Sequence, residues 1–319
     1  MHALAFETFG TPDVLSYREL PDPIVGPKDV QIALCAAGLN FADIYRRQGN
    51  YVLHGPPPYI LGYEGAGEVV AVGDQVEALH VGDRIAFADV PFANATRVNV
   101  PEEHAIRLPD AITFETAAAM LLQGLTAQYL VNETAPVANG QTVLVHAAAG
   151  GVGLALTQLA KARGATVIAL ASSAEKRCLA LEYGADRAFG HENWQRDVRT
   201  LAPSGVDVIF DSIGSTLSDS LAIARTRGVV VIYGMAGGNP NPIDPRRLME
   251  RSLTLKGGDL WNYLTSSAER AERAAGLFRA IESGALRLPP IHRFRMSDGA
   301  EAHRLLEGRG VIGKILYYI

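Results

Sequence analysis

The 319-residue chain has only two cysteines, Cys35 and Cys178. Two thiols cannot form a disulfide framework or supply the ligands of a zinc site built from cysteines. We therefore expect a protein of a reducing compartment, the cytoplasm. Apolar residues flank Cys35 and follow Cys178, and we expect two inert thiols in apolar settings.

The sequence also lacks the features of membrane and nucleic-acid proteins. No uninterrupted apolar stretch reaches the roughly 18 residues of a transmembrane helix, and residues 1–10 lack the basic-then-apolar pattern of an export signal. The 29 basic and 34 acidic residues give a net charge of −5, and the basic residues are scattered. We expect no membrane insertion and no nucleic-acid partner.

What the chain does have is a large apolar content, 48%, and 32 glycines. This composition is typical of a globular protein, and the length favours two domains. In the first ~110 residues, short apolar runs alternate with turn residues such as Gly73-Asp74 and Gly82-Asp83. The pattern predicts an all-β domain with strands at 30–36, 68–72 and 84–88 and a helix at 40–47.

Beyond Pro109, strands and helices alternate. Thr113 and Thr116 are suited to begin a helix over 117–130. Continuous apolar strands separated by helices predict a doubly wound parallel sheet covered on both faces, and hence the α/β class. The predicted strands are 142–146, 166–170, 206–210, 229–233 and, at the end of the chain, 311–319; the predicted helices are 153–163, 174–183, 217–224 and 270–283.

A glycine-rich segment joins the first of these strands to its helix. Aligned with the dinucleotide fingerprint G-x-G-x-x-G, it has Ala148, Gly150 and Gly153 at the three glycine positions. Gly150 would let a pyrophosphate approach the backbone, and Gly153 would let helix and strand pack closely. A strand-to-helix turn without a ligand is the alternative, but the strand before and the helix after favour nucleotide binding at the helix N-terminus.

The end of the second strand indicates which nucleotide binds. NAD sites place Asp or Glu there to accept the ribose hydroxyls, whereas this chain has Ala171, Ser172 and Ser173, followed by Lys176 and Arg177. Glu175 is the one acidic residue of this segment, and we expect its position inside the predicted helix to point it away from the ribose. Hydroxyls and cations suit a 2′-phosphate, so NADPH is favoured over NADH. Two alternatives remain open: a serine here caps an ordinary helix, and Lys176 is a solvated surface charge.

Six segments, taken together, identify a family. The chain resembles the zinc-independent quinone oxidoreductases (zeta-crystallin-like) of the medium-chain dehydrogenase/reductase superfamily. The resemblance implies a GroES-like catalytic β domain (1–118 and 290–319), a Rossmann NADP(H)-binding domain (119–289), an active-site cleft between them, a C-terminal strand that rejoins the first domain, and a homodimer. The segments are AGLNFAD (37–43), GYEGAG (62–67), QGLTA (123–127), AAGGVG (148–153), DSIG (211–214) and GKIL (313–316).

The resemblance also bears on metal content. Zinc alcohol dehydrogenases of this superfamily carry a cysteine near positions 40–43 and Gly-His-Glu at positions 62–64. This chain has no cysteine in the first segment, has Tyr63 in place of the histidine, and lacks the four-cysteine structural loop. Without thiolate and imidazole ligands we expect no zinc and no zinc-dependent alcohol oxidation.

Carried over residue by residue, the resemblance implies a set of cofactor-binding positions. Relatives have a tyrosine that covers the 2′-phosphate where this chain has Gly190-His191, so His191 is the expected substitute donor. Asn40, Thr126, Gly234 and Leu260 are expected at the nicotinamide, Ala149, Gly150, Gly151 and Val152 at the pyrophosphate, Ser172, Ser173 and Lys176 at the 2′-phosphate, and Lys314 reaching the cofactor from the last strand.

The chemistry leaves three hypotheses open. Reduction of a quinone or activated alkene needs a donor where negative charge develops, and Tyr45 and Tyr51, near Asn40, are the candidate catalytic hydroxyls; both also suit simple packing at the rim of the site. The first hypothesis is an NADPH:quinone reductase. The second is an enoyl or enone (2-alkenal or enoyl thioester) reductase with Tyr51 as proton donor, as in similar mitochondrial enzymes. The third is a crystallin-like structural or RNA-binding protein that binds NADPH.

Other polar residues are expected to have structural roles. Asp43 and Glu64 are expected to fix backbone or cap turns, and Asp211 to be structural at a strand end. Three histidines show no metal-ligand spacing and are expected at the surface: His54, His80 and His104.

Overall fold

The computed structural model describes residues 1–53 and 55–319, so His54 lies outside the described residues. The strands are β1 (His2–Phe6), β2 (Ser16–Glu19), β3 (Asp29–Leu39), β4 (Tyr59–Ile60), β5 (Gly65–Val72), β6 (Arg84–Phe87), β7 (Arg97–Pro101), β8 (Ile106–Arg107), β9 (Thr142–Val145), β10 (Thr166–Leu170), β11 (Arg187–Phe189), β12 (Val206–Asp211), β13 (Ala224–Ile232), β14 (Thr254–Gly257), β15 (Ile291–Arg295) and β16 (Lys314–Tyr318). The α-helices are α1 (Phe41–Arg47), α2 (Phe114–Tyr129), α3 (Gly151–Ala162), α4 (Ala174–Glu182), α5 (Trp194–Leu201), α6 (Leu217–Ile223), α7 (Arg246–Met249), α8 (Ser267–Glu282) and α9 (Gly299–Glu307).

These elements form two compact units, residues 1–122 with 264–319 and residues 123–263. The predicted domains, 1–118 with 290–319 and 119–289, differ from the units mainly in helix α8, which the structure groups with the first unit. The predicted boundaries of the two domains stay a prediction. Among the described residues, no helix combines the length and apolar character needed to cross a bilayer.

The first unit is built around β3. Its alternate residues, such as Val30, Ile32 and Leu34, are buried, because successive side chains of a strand point to opposite faces. β3 pairs antiparallel with β5, β7 and β16 in a seven-stranded sheet. The tail strand therefore returns to the first unit, where Ile315 lies opposite Leu39. This pairing brings residues near position 40 beside the last strand.

The second unit is a parallel sheet of six strands in the order β11-β10-β9-β12-β13-β14. Short apolar strands such as β9 and β10 are buried, with helices joining successive strands. The strand order reverses between β9 and β12, which is the doubly wound Rossmann arrangement with its ligand site at that switch point. The predicted fold class is confirmed.

Two local expectations need correction. Both cysteines are exposed rather than in apolar settings. Cys35 lies on the outer face of β3, between inward-facing Leu34 and Ala36, and Cys178 lies on α4 between half-buried Arg177 and Leu179. Partial burial still raises the pKa of the Cys35 thiol. Helix α5 was not predicted, since its sequence is mostly polar and only Trp194 and Val198 are buried.

Candidate cofactor and active site

The glycine loop follows β9 at the switch point of the sheet. Ala148 N–H donates to Leu170 O on β10 (3.0 Å), and Gly150 N–H donates to Ala147 O (2.9 Å). Ala147 has φ +48°, in the left-handed region that non-glycine residues rarely adopt, and such strain is characteristic of functional loops. Gly150 is the N-cap of α3, so the first N–H groups of the helix are presented at the carboxyl edge of the sheet.

The glycines of this loop differ in the space around them. A Cβ at Gly153 would lie 2.4 Å from Ala147 O, and one at Gly151 would lie 1.7 Å from Gln123 Oε1. A Cβ at Gly150 would meet only Ala147 O, at 3.3 Å. Gly153 thus allows the close strand–helix packing of the third fingerprint glycine, whereas Gly150 is a position at which a ligand can approach the backbone.

This difference predicts separable effects of two substitutions. Gly150→Ala places a methyl group where a pyrophosphate would approach, so we expect NADPH affinity to fall about tenfold or more with the free energy of unfolding changed by under ~1 kcal/mol. Gly153→Ala forces a backbone clash, and we expect it to cost about 1–3 kcal/mol of stability as well. Fluorescence titration with NADPH and urea unfolding measure the two effects; unchanged affinity in Gly150→Ala would contradict a pyrophosphate site here.

The other predicted cofactor residues of the second unit follow its parallel strands or lie on α2. Ser173 caps α4 by accepting from Lys176 N–H (3.2 Å), so the N-cap interpretation is confirmed for this serine. Because the strands are parallel, the residues that follow them share one edge of the sheet. Ser172, Ser173 and exposed His191 follow β10 and β11, half-buried Gly234 and buried Leu260 follow β13 and β14, and buried Thr126 is on α2.

A buried polar network supports the loop from the next strand. Asp211, at the end of β12, accepts hydrogen bonds from Thr216 Oγ1 and Ser220 Oγ (both 2.8 Å), and Ser220 Oγ lies 3.0 Å from His146 Nε2. Burial alone would raise the pKa of Asp211, but His146 and these hydroxyls lower it overall. Burial lowers the pKa of His146. The expected structural role of Asp211 matches these contacts.

In the first unit, a buried ion pair surrounds Asn40. Lys314 Nζ donates to Asn40 Oδ1 (3.0 Å) and to Glu64 Oε1, and Asn40 Nδ2 donates to Glu64 Oε1 (2.8 Å). Glu64 Oε2 accepts from Leu122 N–H (3.1 Å), and the side chains of Glu64 and Lys314 are fully buried. Both ends of the Asn40 amide are therefore fixed. Glu64, expected to fix backbone, does so through Leu122 and is also the partner of Lys314.

A second pair of buried charged residues, Asp43 and Arg46, lies on α1. Asp43 accepts from Asn40 N–H (3.0 Å) and Gly62 N–H (3.1 Å), which matches its expected capping role. Burial raises the pKa of Asp43, although Arg46 opposes the shift. The Arg46 guanidinium lies 3.6 Å from the centroid of the Tyr63 ring, a cation–π contact in a desolvated setting.

These residues do not fit a zinc ion. The position where zinc enzymes carry the histidine holds Tyr63, whose ring packs on a guanidinium, and the neighbouring carboxylate of Glu64 is neutralised by an ammonium. Cations beside the carboxylates repel a further cation, and zinc prefers thiolate and imidazole ligands. In the described part of the chain no three His, Cys, Asp or Glu residues lie close enough to hold a metal. Zinc independence at this position remains a prediction, which metal analysis of the purified protein tests.

The two candidate tyrosines lie at opposite ends of one short segment. Tyr45 is half-buried on α1 with its ring 6.3 Å from that of Phe41. Tyr51 follows the helix, and the Arg46 guanidinium lies 4.9 Å from its ring centroid. Their catalytic roles stay predictions. Of the surface histidines, His80 is exposed, whereas His104 is half-buried with Nδ1 2.9 Å from Asp89.

Sequence reasoning missed three buried partners in this region: Arg46, Tyr63 as its stacking platform, and Glu64 as the partner of Lys314. The i,i+3 spacing of Asp43 and Arg46 is a helical signal that would have indicated their proximity. No local signal links Glu64 to Lys314, because 250 positions separate them.

Comparisons with known proteins agree with this architecture. Residues 26–142 match the alcohol dehydrogenase GroES-like domain family, and residues 151–274 match the family described as zinc-binding dehydrogenase. A quinone oxidoreductase of Pseudomonas aeruginosa is 40% identical over 97% of both chains. A 2-haloacrylate reductase from Burkholderia is 34% identical over 96% of both.

A solved structure extends the comparison to the fold. The quinone oxidoreductase of Escherichia coli, crystallised with NADPH, superposes with a TM-score of 0.96 at 33% identity, covering 100% of both chains. The sequence identity extends along nearly the whole chain, and the described fold agrees with it. This chain belongs to the zinc-independent quinone oxidoreductase family of the medium-chain dehydrogenase/reductase superfamily.

Proposed function

We propose that this protein is an NADPH-dependent quinone oxidoreductase. The observation that carries the proposal is the glycine loop at the switch point of the parallel sheet, with Ser172 and Ser173 rather than a carboxylate directly after β10. Glu175, Lys176 and Arg177 follow in the first turn of α4. The same cofactor is bound in the crystal structure of the E. coli relative, whose name also gives quinones as substrates. The crowded backbone at Gly153 and the open position at Gly150 suit a dinucleotide.

When bound, NADPH supplies the hydride for the reduction. The loop residues Ala149, Gly150, Gly151 and Val152 would hold the pyrophosphate through N–H groups at the start of α3. Thr126, Gly234 and Leu260 would flank the nicotinamide. These residues bind and orient, and such positioning supplies much of the rate enhancement when the acceptor is already reactive.

Asn40 would present a fixed amide to the reacting groups. Lys314 holds its Oδ1 and Glu64 holds its Nδ2, so the amide does not reorient during the reaction, which is the requirement for electrostatic preorganisation. In this arrangement Lys314 acts on Asn40. Its side chain is fully buried, so we propose that it influences the cofactor by positioning Asn40.

The test is NADPH oxidation with a simple para-quinone, with NADH run in parallel and Gly150→Ala as the control. We expect quinone-dependent oxidation of NADPH, much slower turnover with NADH, and loss of activity in the control variant. Turnover with NADH alone would overturn the NADPH assignment. Absence of quinone turnover with either nucleotide would overturn the quinone assignment.

A second candidate activity is reduction of an activated alkene, which the 2-haloacrylate reductase relative favours. Here Tyr51 would donate the proton to the product, beside the Arg46 guanidinium 4.9 Å from its ring. We expect Tyr51→Phe to lower turnover of an enone or 2-haloacrylate at least ~tenfold, with quinone turnover changed less than ~twofold. Tyr45→Phe tests the other candidate hydroxyl in the same way, and an alkene-specific loss confined to that variant would assign the role to Tyr45 instead. Equal losses on both substrates would contradict a role specific to alkenes.

We also propose a cytoplasmic homodimer. The cysteine content suits a reducing compartment. Strand β14 forms an edge of the parallel sheet among the described residues, and an unpaired edge can join the same edge of a second copy. Sedimentation velocity should give twice the chain mass, and a monomer at micromolar concentration would contradict the dimer.

A further inference from the structure

The guanidinium of Arg177 is held at the carboxyl ends of two neighbouring strands. Arg177 lies in the first turn of α4, and its Nη1 donates to Ala171 O (3.4 Å) and Ser172 O (3.3 Å), just beyond β10. An ideal Cβ at Gly190, just beyond β11, would lie 3.3 Å from the same nitrogen. These contacts place the guanidinium between the ends of β10 and β11.

The Arg177 guanidinium therefore lies at the end of β10, where a doubly wound sheet recognises the ribose of a dinucleotide. In doubly wound sheets, the end of the second strand reads the ribose: a carboxylate accepts its hydroxyls, whereas an arginine accommodates a 2′-phosphate. Here the strand is followed by Ala171, Ser172 and Ser173, none of them acidic. The two carbonyl contacts engage Nη1, and a guanidinium has five N–H donors in a planar fork that suits phosphate.

Gly190 allows this arrangement. With 3.3 Å between its ideal Cβ position and Arg177 Nη1, a Cβ at position 190 would require the guanidinium to shift by a few tenths of an ångström. The glycine after β11 and the arginine of α4 therefore form a matched pair. His191, the next residue, is exposed.

We propose that Arg177 selects the 2′-phosphate of NADPH in this chain, and that Gly190 provides the space for it. The ligand class is a 2′-phosphorylated adenosine. This inference rests on the proposed NADPH-dependent function and adds a specificity-determining residue to it, alongside the expected Ser172, Ser173, Lys176 and His191.

The test measures binding of nucleotide fragments by calorimetry, without catalysis. The probes are 2′-AMP and 5′-AMP, which place phosphate on different ribose oxygens, and the variant is Arg177→Gln. Because hydrogen bonds between ions are strong, we expect about 10- to 100-fold weaker 2′-AMP binding, with 5′-AMP binding changed less than about twofold. Arg187→Gln is the matched control: its Nη1 donates to Asp186 O at the other end of β11, and we expect wild-type binding.

A second variant tests the role of Gly190. Gly190→Ala should displace Arg177 without removing it, so we expect a smaller loss of 2′-AMP affinity than in Arg177→Gln. In the double variant Gly190→Ala/Arg177→Gln we expect the same loss as in Arg177→Gln alone, because both substitutions act through the same guanidinium. Wild-type 2′-AMP affinity in a folded Arg177→Gln variant would overturn the inference while leaving the NADPH assignment intact. If wild-type protein binds 2′-AMP no better than 5′-AMP, the NADPH preference fails and the inference fails with it.

Discussion

Lys314→Met should lower the free energy of unfolding by about 3–5 kcal/mol, the largest loss we expect from a single substitution. The Lys314 ammonium pairs with Glu64 and donates to Asn40 Oδ1, and both charged side chains are fully buried. Removing the cation leaves an uncompensated carboxylate in the core, although Asn40 Nδ2 and Leu122 N–H still donate to it. Urea unfolding followed by circular dichroism measures the loss.

Two controls separate the buried charge from general effects of the substitution. Lys161→Met breaks the pair with Asp186, whose side chains are 46% and 31% exposed, and we expect a loss of at most about 1 kcal/mol. In the double variant Glu64→Gln/Lys314→Met the uncompensated charge is gone, so we expect part of the stability to return. A Lys314→Met loss no larger than that of Lys161→Met would contradict a tightly coupled buried pair.

Stability should also fall steeply in mild acid because of His303. Its side chain is fully buried, and burial together with the neighbouring Arg47 lowers its pKa from 6.5 to about 3. Arg47 Nη1 lies 3.4 Å from His303 Nδ1, and Arg47 also donates to Glu307 (2.7 Å). The folded protein thus holds this ring neutral at pH values where the unfolded chain protonates it.

The direction of the effect follows from that difference. The stabilisation is fully present above the unfolded pKa of 6.5 and is lost as the pH falls toward the folded pKa of about 3. One such histidine gives a slope that approaches ~1.4 kcal/mol per pH unit below the unfolded pKa, or about 1.6 kcal/mol between pH ~6.5 and ~5. Buried His146, whose pKa is also lowered by burial, acts in the same direction.

Urea unfolding across this pH range measures the slope in wild type and in His303→Gln. Glutamine keeps an acceptor for Arg47 but does not protonate, so we expect the variant to lose less stability between neutral and acidic pH. His80→Gln is the control, because the His80 side chain is 77% exposed, and its slope should equal that of wild type. An unchanged slope in His303→Gln would contradict the buried neutral ring.

Much of the fold was predictable because its determinants are local. The short apolar runs of β3, β9 and β10 predicted strands, and the structure buries most of the apolar residues in these runs. Helix α5 was missed because most of its eight residues are polar and no capping hydrogen bond marks its start at Asn193, although Trp194 and Val198 have helical spacing. Cys35 was misplaced because apolar neighbours in a strand do not bury the residue between them.

The sequence by itself determined the doubly wound sheet, the glycine loop, and the absence of cysteine and histidine at the positions of zinc ligands. Each depends on residue types within one short segment. Only the tertiary structure decided that Lys314 meets Glu64 and Asn40, since 250 and 274 positions separate them. That contact exists because β16 pairs with β3, and strand pairing between distant segments depends on the packing of the whole unit.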